Sequence, residues 1–412
     1  MTAIVAQDLP LQRSVAPSDE PAVAAVIAEA CKSGTPVYPI GGGTSLDYGP
    51  RPARPGIGLC MDPMHRVLDH PADDLTITVE VGLTLAELNR HLATRRQWLP
   101  IDAPEQARAT VGGIVATNAC GPRRYGHGTV GDYLIGVRAI DGQGEAFAGG
   151  GRVVKNAAGY NLPRLMVGSL GTLGVITQAT FMVRPLPAHS ALVICDMPGF
   201  QQAECLLVAL GRSRTTPTTM ELLAGPSQPD CPLPAMSGRA AVRLAVGFEG
   251  GAAEVQGLAN VLCDEWRALG ADGLTTISGA GVDAAWDWLS ESPALLQIDV
   301  LPSRVVGVME QVARALPAMS LQARAGNGVI RVYRPADAGT VFGRDFATLV
   351  QNSLRPLAAA AGGHLTVLAA PADAELASAE IWGPPRPAAA LMRSIQQRFD
   401  PAGILNPGRF AW

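Results

Sequence analysis

Between the apolar stretch TPVYPI and the loop LDYGPRPARPG stands the run Pro39-Ile40-Gly41-Gly42-Gly43-Thr44-Ser45. Successive glycines after a strand accept φ > 0 and can turn consecutive backbone N–H groups toward one point, a nest for a phosphate or diphosphate. A hydrogen bond to a charged group contributes roughly 1.5–3 kcal/mol, so several amides with the Thr44 and Ser45 hydroxyls can hold a diphosphate without a lysine. No GK[ST] follows, which excludes a Walker loop, and the spacing is not the GxGxxG of a Rossmann site. Taken alone, the run also fits an ordinary tight turn. Two further small-residue stretches lie in the same half of the chain: ATVGGIVATNACG, and VGSLGTLGVIT with Gly168, Gly171 and Gly174 before a strand. Each alone fits a buried small-residue helix or a close-packed corner; three together are harder to explain separately.

Around these stretches the pattern predicts β–loop–β–β–α. A helix follows the N-cap candidate Ser18 and stops at Gly34, and strands fall at TPVYPI, GIGLCMD and DLTITVEVG. Thr84 and Glu87 form a capping box that opens another helix. A hairpin turns at Asp141–Gly144, and RPLPAHS near residues 185–190 reads as a boundary. Beyond it, ALVICDM, AAVRLAVGFEG, LLQIDV, SLQARAGNGVIRVYRP and HLTVLAA alternate with helices at 200–211, 252–269, 303–315 and 344–361, predicting an α+β sheet domain with its helices on one face. A last helix is predicted over 386–399. No internal repeat is visible.

The formal net charge of −4, without a Lys/Arg run, gives no footprint for nucleic acid or an anionic membrane. Lys32 and Lys155 are the only lysines, so a lysine at 155 stands out. Seven cysteines without a CxxC pair argue against a disulfide framework, a zinc site or a self-contained iron–sulfur centre. The N-terminal residues lack a basic-then-apolar leader and no segment offers a clean apolar span, so the expected location is cytoplasmic, compatible with the inner face of the cell membrane through a complex.

In the order PIGGGTS, PEQARATVGGIVATNACG, KNAAGYNLPRLMVGSLGTLGVIT and FDPAGILNPGR, the chain resembles the FAD-binding fold of vanillyl-alcohol oxidase and p-cresol methylhydroxylase, and within it the FAD-binding subunits of bacterial glycolate oxidase. The resemblance implies a two-part FAD-binding domain of the p-cresol methylhydroxylase type over 1–187, an α+β, ferredoxin-like second domain over 188–385, and a C-terminal segment, 386–412, returning to complete the FAD site. It implies that Pro39, Ile40, Gly41, Gly42, Gly43, Thr44 and Ser45 wrap the pyrophosphate. Pro104 through Thr110 and Thr117, Asn118, Ala119 and Cys120 would approach the ribityl and flavin parts, with Gly112 and Gly113 allowing close approach. Leu170, Gly171, Thr172, Leu173, Gly174, Val175 and Ile176 would meet the adenosine end, and Asn406 and Arg409 would lie near the ring. No His or Cys occupies the usual place for covalent attachment in the pyrophosphate loop, so the FAD is expected to be non-covalent; Cys120 also reads as a small packed residue.

The related catalytic subunits carry H-x-G-D-G-N-L-H in the second domain, where this chain has RAGNGVIR with Arg324 and Arg331 at the two histidine positions. Guanidiniums stay protonated and do not ligate metals, so no metal is expected. The two arginines could bind a carboxylate directly, or sit on a surface hairpin in solvated ion pairs. A family glutamate is Leu170 here and a family aspartate is Asn161, which removes charge near the cofactor and argues against independent turnover. Lys155 could neutralise cofactor charge or pair with an acid; His127 could touch the flavin or be a hydrogen-bonded loop histidine. The resemblance implies a subunit of an assembly that oxidises a small 2-hydroxy acid such as glycolate, with a catalytic FAD-linked subunit and an iron–sulfur subunit as partners. A self-sufficient hydroxy-acid dehydrogenase and a structural subunit that only retains FAD are the alternatives; catalytic residues are not assigned.

Overall fold

The computed structural model describes residues 9–152, 159–227, 230–236, 240–291, 294–333, 346–370 and 376–410; Lys155 falls outside them. The first helix, Glu20–Ser33, is capped by Asp19 and not by Ser18: the Asp19 carboxylate accepts from the Ala22 amide at 2.9 Å, where an ionised acceptor also meets the positive end of the helix dipole. Gly34 ends the helix at φ +65°. Its buried residues Val23, Ile27 and Ala30 share a core with the inward residues of a five-stranded antiparallel sheet, among them Ile77, Val79, Val137, Ala179 and Phe181. That sheet runs Val67–Asp69, Thr76–Glu80, Val175–Met182, Leu134–Ile140, Ala146–Gly150. The capping box at Thr84 forms, with Glu87 N–H donating to the Thr84 hydroxyl and Thr84 N–H to the Glu87 carboxylate, both at 3.2 Å.

A separate parallel sheet of Leu11–Val15, Gly56–Cys60 and Val37–Ile40 carries the glycine run at the end of its last strand. The C-terminus returns to this strand. After the helix Ala389–Phe399, Asp400 accepts from the Ile404 and Leu405 amides at 3.1 and 2.8 Å. Val37 N–H then donates to Ile404 and Asn406 N–H to Val37, each at 2.8 Å.

Among the described residues, every strand from His189 onward joins an eight-stranded antiparallel sheet, ordered Gly273–Ser278, His189–Met197, Val242–Gly250, Thr219–Ala224, Ser320–Arg324, Val329–Tyr333, Leu296–Asp299, His364–Val367. The strands Thr219–Ala224 and Gly273–Ser278 were not among those predicted. The order resolves into two βαββαβ units, each with its first strand between its third and fourth, the ferredoxin-like arrangement. The units join through their corresponding second strands, with Glu221 opposite Arg324. The chain therefore contains a repeat of topology that its residues do not display.

The helices do not keep to one face. Helices Phe200–Leu210, Ala252–Ala268 and Val305–Ala315 cover the face built from Val193, Leu222, Leu244, Leu321 and Ile330. Helix Ala280–Glu291 lies on the other, where Val282, Ala285 and Leu289 pack with Leu192, Ile194 and Ala245. The remainder of that second face is polar and meets the first half of the chain: Gly126 N–H donates to Thr218 at 3.0 Å and Gln106 reaches Asp287 at 3.4 Å.

Candidate functional site

The three small-residue stretches converge on one cleft. Its walls include Pro39 through Leu46, Tyr48, Thr110, Gly112, Gly113, Ala116, Thr117, Leu170, Gly171, Gly174, Val175, Ile176, Asn406 and Arg409. The glycine run is pressed against the segment before Thr110: a Cβ on Gly42 would lie 1.7 Å from the Arg108 carbonyl oxygen, and one on Gly41 would lie 2.1 Å from Thr110 Oγ1. The Gly42 carbonyl is engaged by Arg108 Nη2 at 3.1 Å. Among the described residues, none of the backbone N–H groups of Gly41 through Ser45 has an acceptor within the chain. Five successive unspent donors ending in two hydroxyls form a cradle for an anion carrying several oxygens. Arg409, 5% exposed and donating to the Tyr48 carbonyl at 3.2 Å, is the only charged side chain on the cleft wall among the described residues. Among the described residues, no carboxylate opposes a diphosphate there.

The far wall is stitched to the C-terminus. Leu170 N–H donates to Ala116 at 2.8 Å, and the Leu170 carbonyl accepts from Asn406 Nδ2 at 2.7 Å. Asn406 itself adopts φ +43°, a conformation asparagine tolerates better than most residues. Thus the strand at Val37, the helix Val111–Thr117, the turn at Leu170 and the returning tail are locked around the same space.

Several residues expected at the cofactor are not among the lining of this cleft. Pro104, Asn118, Ala119 and Cys120 do not line the cleft. Asn118 ends the helix Val111–Thr117 in a left-handed conformation, and Cys120 packs in the core, where burial raises its thiol pKa. Thr172 turns its hydroxyl to the Ser169 carbonyl at 2.7 Å, and Leu173 joins the core. Conversely Leu9, Tyr38, Leu46, Tyr48, Met61, Val81 and Ala116 line the cleft without any local signal beyond apolarity.

A second polar assembly fills the contact between the half that carries the cleft and the eight-stranded sheet. Arg123 is held by Asp102, with Nε to Oδ1 at 2.8 Å and its amide to Oδ2 at 2.9 Å, and by Glu249 at 3.0 Å, while its guanidinium lies 4.5 Å from the Trp98 ring centroid. Burial works against this charge, but Asp102 and Glu249 outweigh it and raise the Arg123 pKa. His127 contacts Glu249 at 2.7 Å; it serves this network and does not line the cleft.

Beside it, Arg324 is 4% exposed and Glu221 fully buried, which overturns the surface-hairpin reading of Arg324. The arginine is buried because it shares a strand face with Gln322, which is held between Glu221 and the Leu289 carbonyl of the helix that covers that face. Burial pushes the Glu221 carboxyl up to about 7 against the pull of Arg324 and of the Gln322 hydrogen bond. Burial and neighbouring Arg331 draw Arg324 down to about 10. Arg331 is half-buried. Glu221, Gln322 and Tyr333 had not been singled out from the sequence, although Gln322/Arg324 and Arg331/Tyr333 alternate with apolar residues at the period of a strand. Among the described residues no group of three or more His, Cys, Asp or Glu side chains is placed to hold a metal ion.

Comparison with known proteins agrees with this geometry. Residues 11–149 match the FAD binding domain model and residues 385–410 the model for the C-terminal domain of FAD linked oxidases. The chain is 42% identical over 140 residues to glycolate oxidase subunit GlcE of Escherichia coli, covering 33% of this chain and 40% of that one. It is 28% identical over 213 residues to glycolate oxidase subunit GlcD of Bacillus subtilis (52% and 45%), and 32% identical over 209 residues to a mitochondrial D-lactate dehydrogenase [cytochrome] of Arabidopsis thaliana (51% and 36%). The chain thus spans less than half the length of these curated relatives. The solved structure of alkyldihydroxyacetonephosphate synthase shares the fold, with a TM-score of 0.69 at 20% identity over 96% of this chain and 77% of that one. A diphosphate cradle, a C-terminal segment that closes it and both family matches converge: the chain carries the FAD binding domain and the C-terminal segment of the FAD-linked oxidases, and FAD is its cofactor.

Proposed function

We propose that the chain is the FAD-carrying subunit of an assembly that oxidises a small 2-hydroxy acid, glycolate first among them, and passes the electrons to an iron–sulfur partner beside a second FAD-linked subunit. The observation that carries this reading is the row of amides from Gly41 to Ser45, without acceptors among the described residues, on the wall of a cleft whose described lining has no carboxylate, joined to the likeness to glycolate oxidase subunits GlcE and GlcD. We read 1–187 as the FAD-binding domain, 188–385 as the second domain and 386–412 as the segment that completes the site. The FAD is non-covalent, since no His or Cys lies among the cradle residues 39–45. The assembly works in the cytoplasm or at the inner face of the membrane.

FAD, when bound, supplies two-electron acceptor chemistry. The chain's own residues do the remaining work. Gly41 through Ser45 would hold the diphosphate by donating N–H groups, Asn406 fixes the Leu170 turn, and Arg409 places the one cation that the described residues bring to the cleft wall. The Arg123 network ties the polar face of the second sheet to the cleft half through Asp102 and Glu249.

The test is the visible spectrum of the purified chain, followed by co-expression with candidate partner subunits and assay of glycolate oxidation. A dissociable flavin, and an assembly whose turnover disappears when FAD binding is abolished by Gly42→Val, support the reading. An assembly that keeps full turnover with the FAD-free variant would leave this chain a structural role only.

A further inference from the structure

His70 and His91 belong neither to the lining of the cofactor cleft nor to the Arg123 network. His70 directly follows the strand Val67–Asp69, and His91 stands in the last turn of the helix Leu85–Ala93. His70 Nδ1 and His91 Nε2 approach to 3.2 Å, and both residues are half-buried, open on one side to water. A buried amide fixes the orientation of the pair. Gln97 is 6% exposed and donates from Nε2 to the Ala72 carbonyl at 2.6 Å, so its Oε1, 2.9 Å from His70 Nε2, accepts. His70 Nε2 therefore carries the hydrogen, and in the neutral ring Nδ1 presents a bare lone pair to His91.

An imidazole held through its far N–H by a fixed oxygen is oriented as metal-ligating histidines are. The spacing agrees with that use: two nitrogens each about 2.0–2.1 Å from one tetrahedral Zn²⁺ stand about 3.3 Å apart. The ring centroids are 5.1 Å apart with the planes at 53°, closer than two rings aligned along the line between their nitrogens would be. The ring axes thus bend off that line, which weakens a direct N–H···N bond and is what two ligands of one ion require. Burial and neighbouring His70 lower the His91 pKa, which favours the neutral form that ligates. The C-terminal end of the helix dipole beside His91 also favours a cation. Among the described residues no third His, Cys, Asp or Glu completes the set, so water takes the remaining positions of an open, exchangeable site.

We propose that His70 Nδ1 and His91 Nε2 bind a divalent late transition ion, Zn²⁺ foremost, which clips the end of the strand Val67–Asp69 to the end of the helix Leu85–Ala93. Without the ion, His91 Nε2–H donates to His70 Nδ1. When the ion binds, that proton moves by way of water to His91 Nδ1, so both rings stay neutral and no proton is released. The site is built by the first half of the chain, apart from Arg324 and Arg331, whose guanidiniums do not ligate metals, and it requires nothing of the function proposed above.

The experiment is titration of zinc sulfate into the tag-free, chelator-stripped full chain against a competing metallochromic indicator, with thermal unfolding followed in parallel. One Zn²⁺ binds per chain at this site and raises the unfolding midpoint, because an ion that binds only the folded chain stabilises it; Mg²⁺, which takes oxygen ligands, does neither. His70→Ala and His91→Ala each weaken Zn²⁺ binding at least about tenfold and remove the rise in midpoint, and Gln97→Met, which frees the His70 ring, weakens binding about tenfold. His65→Ala, whose Nδ1 meets the Asp62 carbonyl, leaves binding unchanged. Circular dichroism checks that each variant is folded, and His91→Gln serves where an alanine variant is not. The proposal is overturned if the wild-type chain takes up no Zn²⁺, if either histidine variant binds it as tightly as the wild type, which would move the ion to the cysteines, exposed Cys205 first, or if His65→Ala is as damaging as His70→Ala.

Discussion

Glu221 ties the stability of the fold to pH. Its carboxyl stands at about 7 in the fold against an ordinary value of 4.5, chiefly because burial penalises the charge. A group whose folded pKa is raised contributes stability that is complete below the unfolded value and is lost as pH rises through the folded one. The difference of about 2.5 pKa units, at 1.36 kcal/mol per unit, corresponds to about 3 kcal/mol in full. Most of it, about 2–3 kcal/mol, disappears between about pH 5 and pH 8. Glu221→Gln fixes the side chain in a neutral form that can still accept from Gln322, so this part of the pH dependence is removed while other titrating groups, common to both proteins, cancel in the difference. Urea unfolding of both proteins across that range should show the wild-type chain losing stability relative to the variant as pH rises. Parallel stability–pH curves would refute the buried, proton-holding role of Glu221.

Gly42→Ala places a Cβ 1.7 Å from the Arg108 carbonyl oxygen, which forces the cradle off its support; flavin absorbance per chain should fall to below about a tenth, with about 1–3 kcal/mol of lost stability by urea unfolding. Asn406→Ala removes the 2.7 Å bond to the Leu170 carbonyl and should cost about 1 kcal/mol, read as faster flavin release on dilution. Glu249→Ala removes one partner of buried Arg123 and the contact to His127; about 3 kcal/mol of stability should go in urea unfolding, with flavin content preserved because none of these groups lines the cleft.

What could be read from the sequence divides according to how local its cause is. The glycine run was legible because both of its requirements, close approach to neighbouring backbone and free amides, are carried by the glycines themselves. The cap at Asp19 in place of Ser18 shows the limit of that locality: two adjacent residues can both cap, and a one-residue phase decides. The paired βαββαβ units were invisible because the repeat lies in the order and direction of strands, not in residues. The hairpin at Arg324 misled for a related reason. A turn containing Gly326 and Gly328 beside two arginines has the composition of exposed structure, and alternation alone establishes only that Gln322, Arg324, Arg331 and Tyr333 share a face. Whether that face is wet depends on what covers it. Here the cover comes from helix Ala280–Glu291 and from the segments carrying Asp102 and Arg123, the latter some two hundred residues earlier in the chain. A strand charge inside such a contact must be paired, neutralised or offered to a ligand. Arg123 is paired, Glu221 is pushed toward neutrality, and Nε and Nη2 of Arg324 have no acceptor among the described residues, so the charges whose surroundings the sequence does not reveal collect at the seam between the two halves.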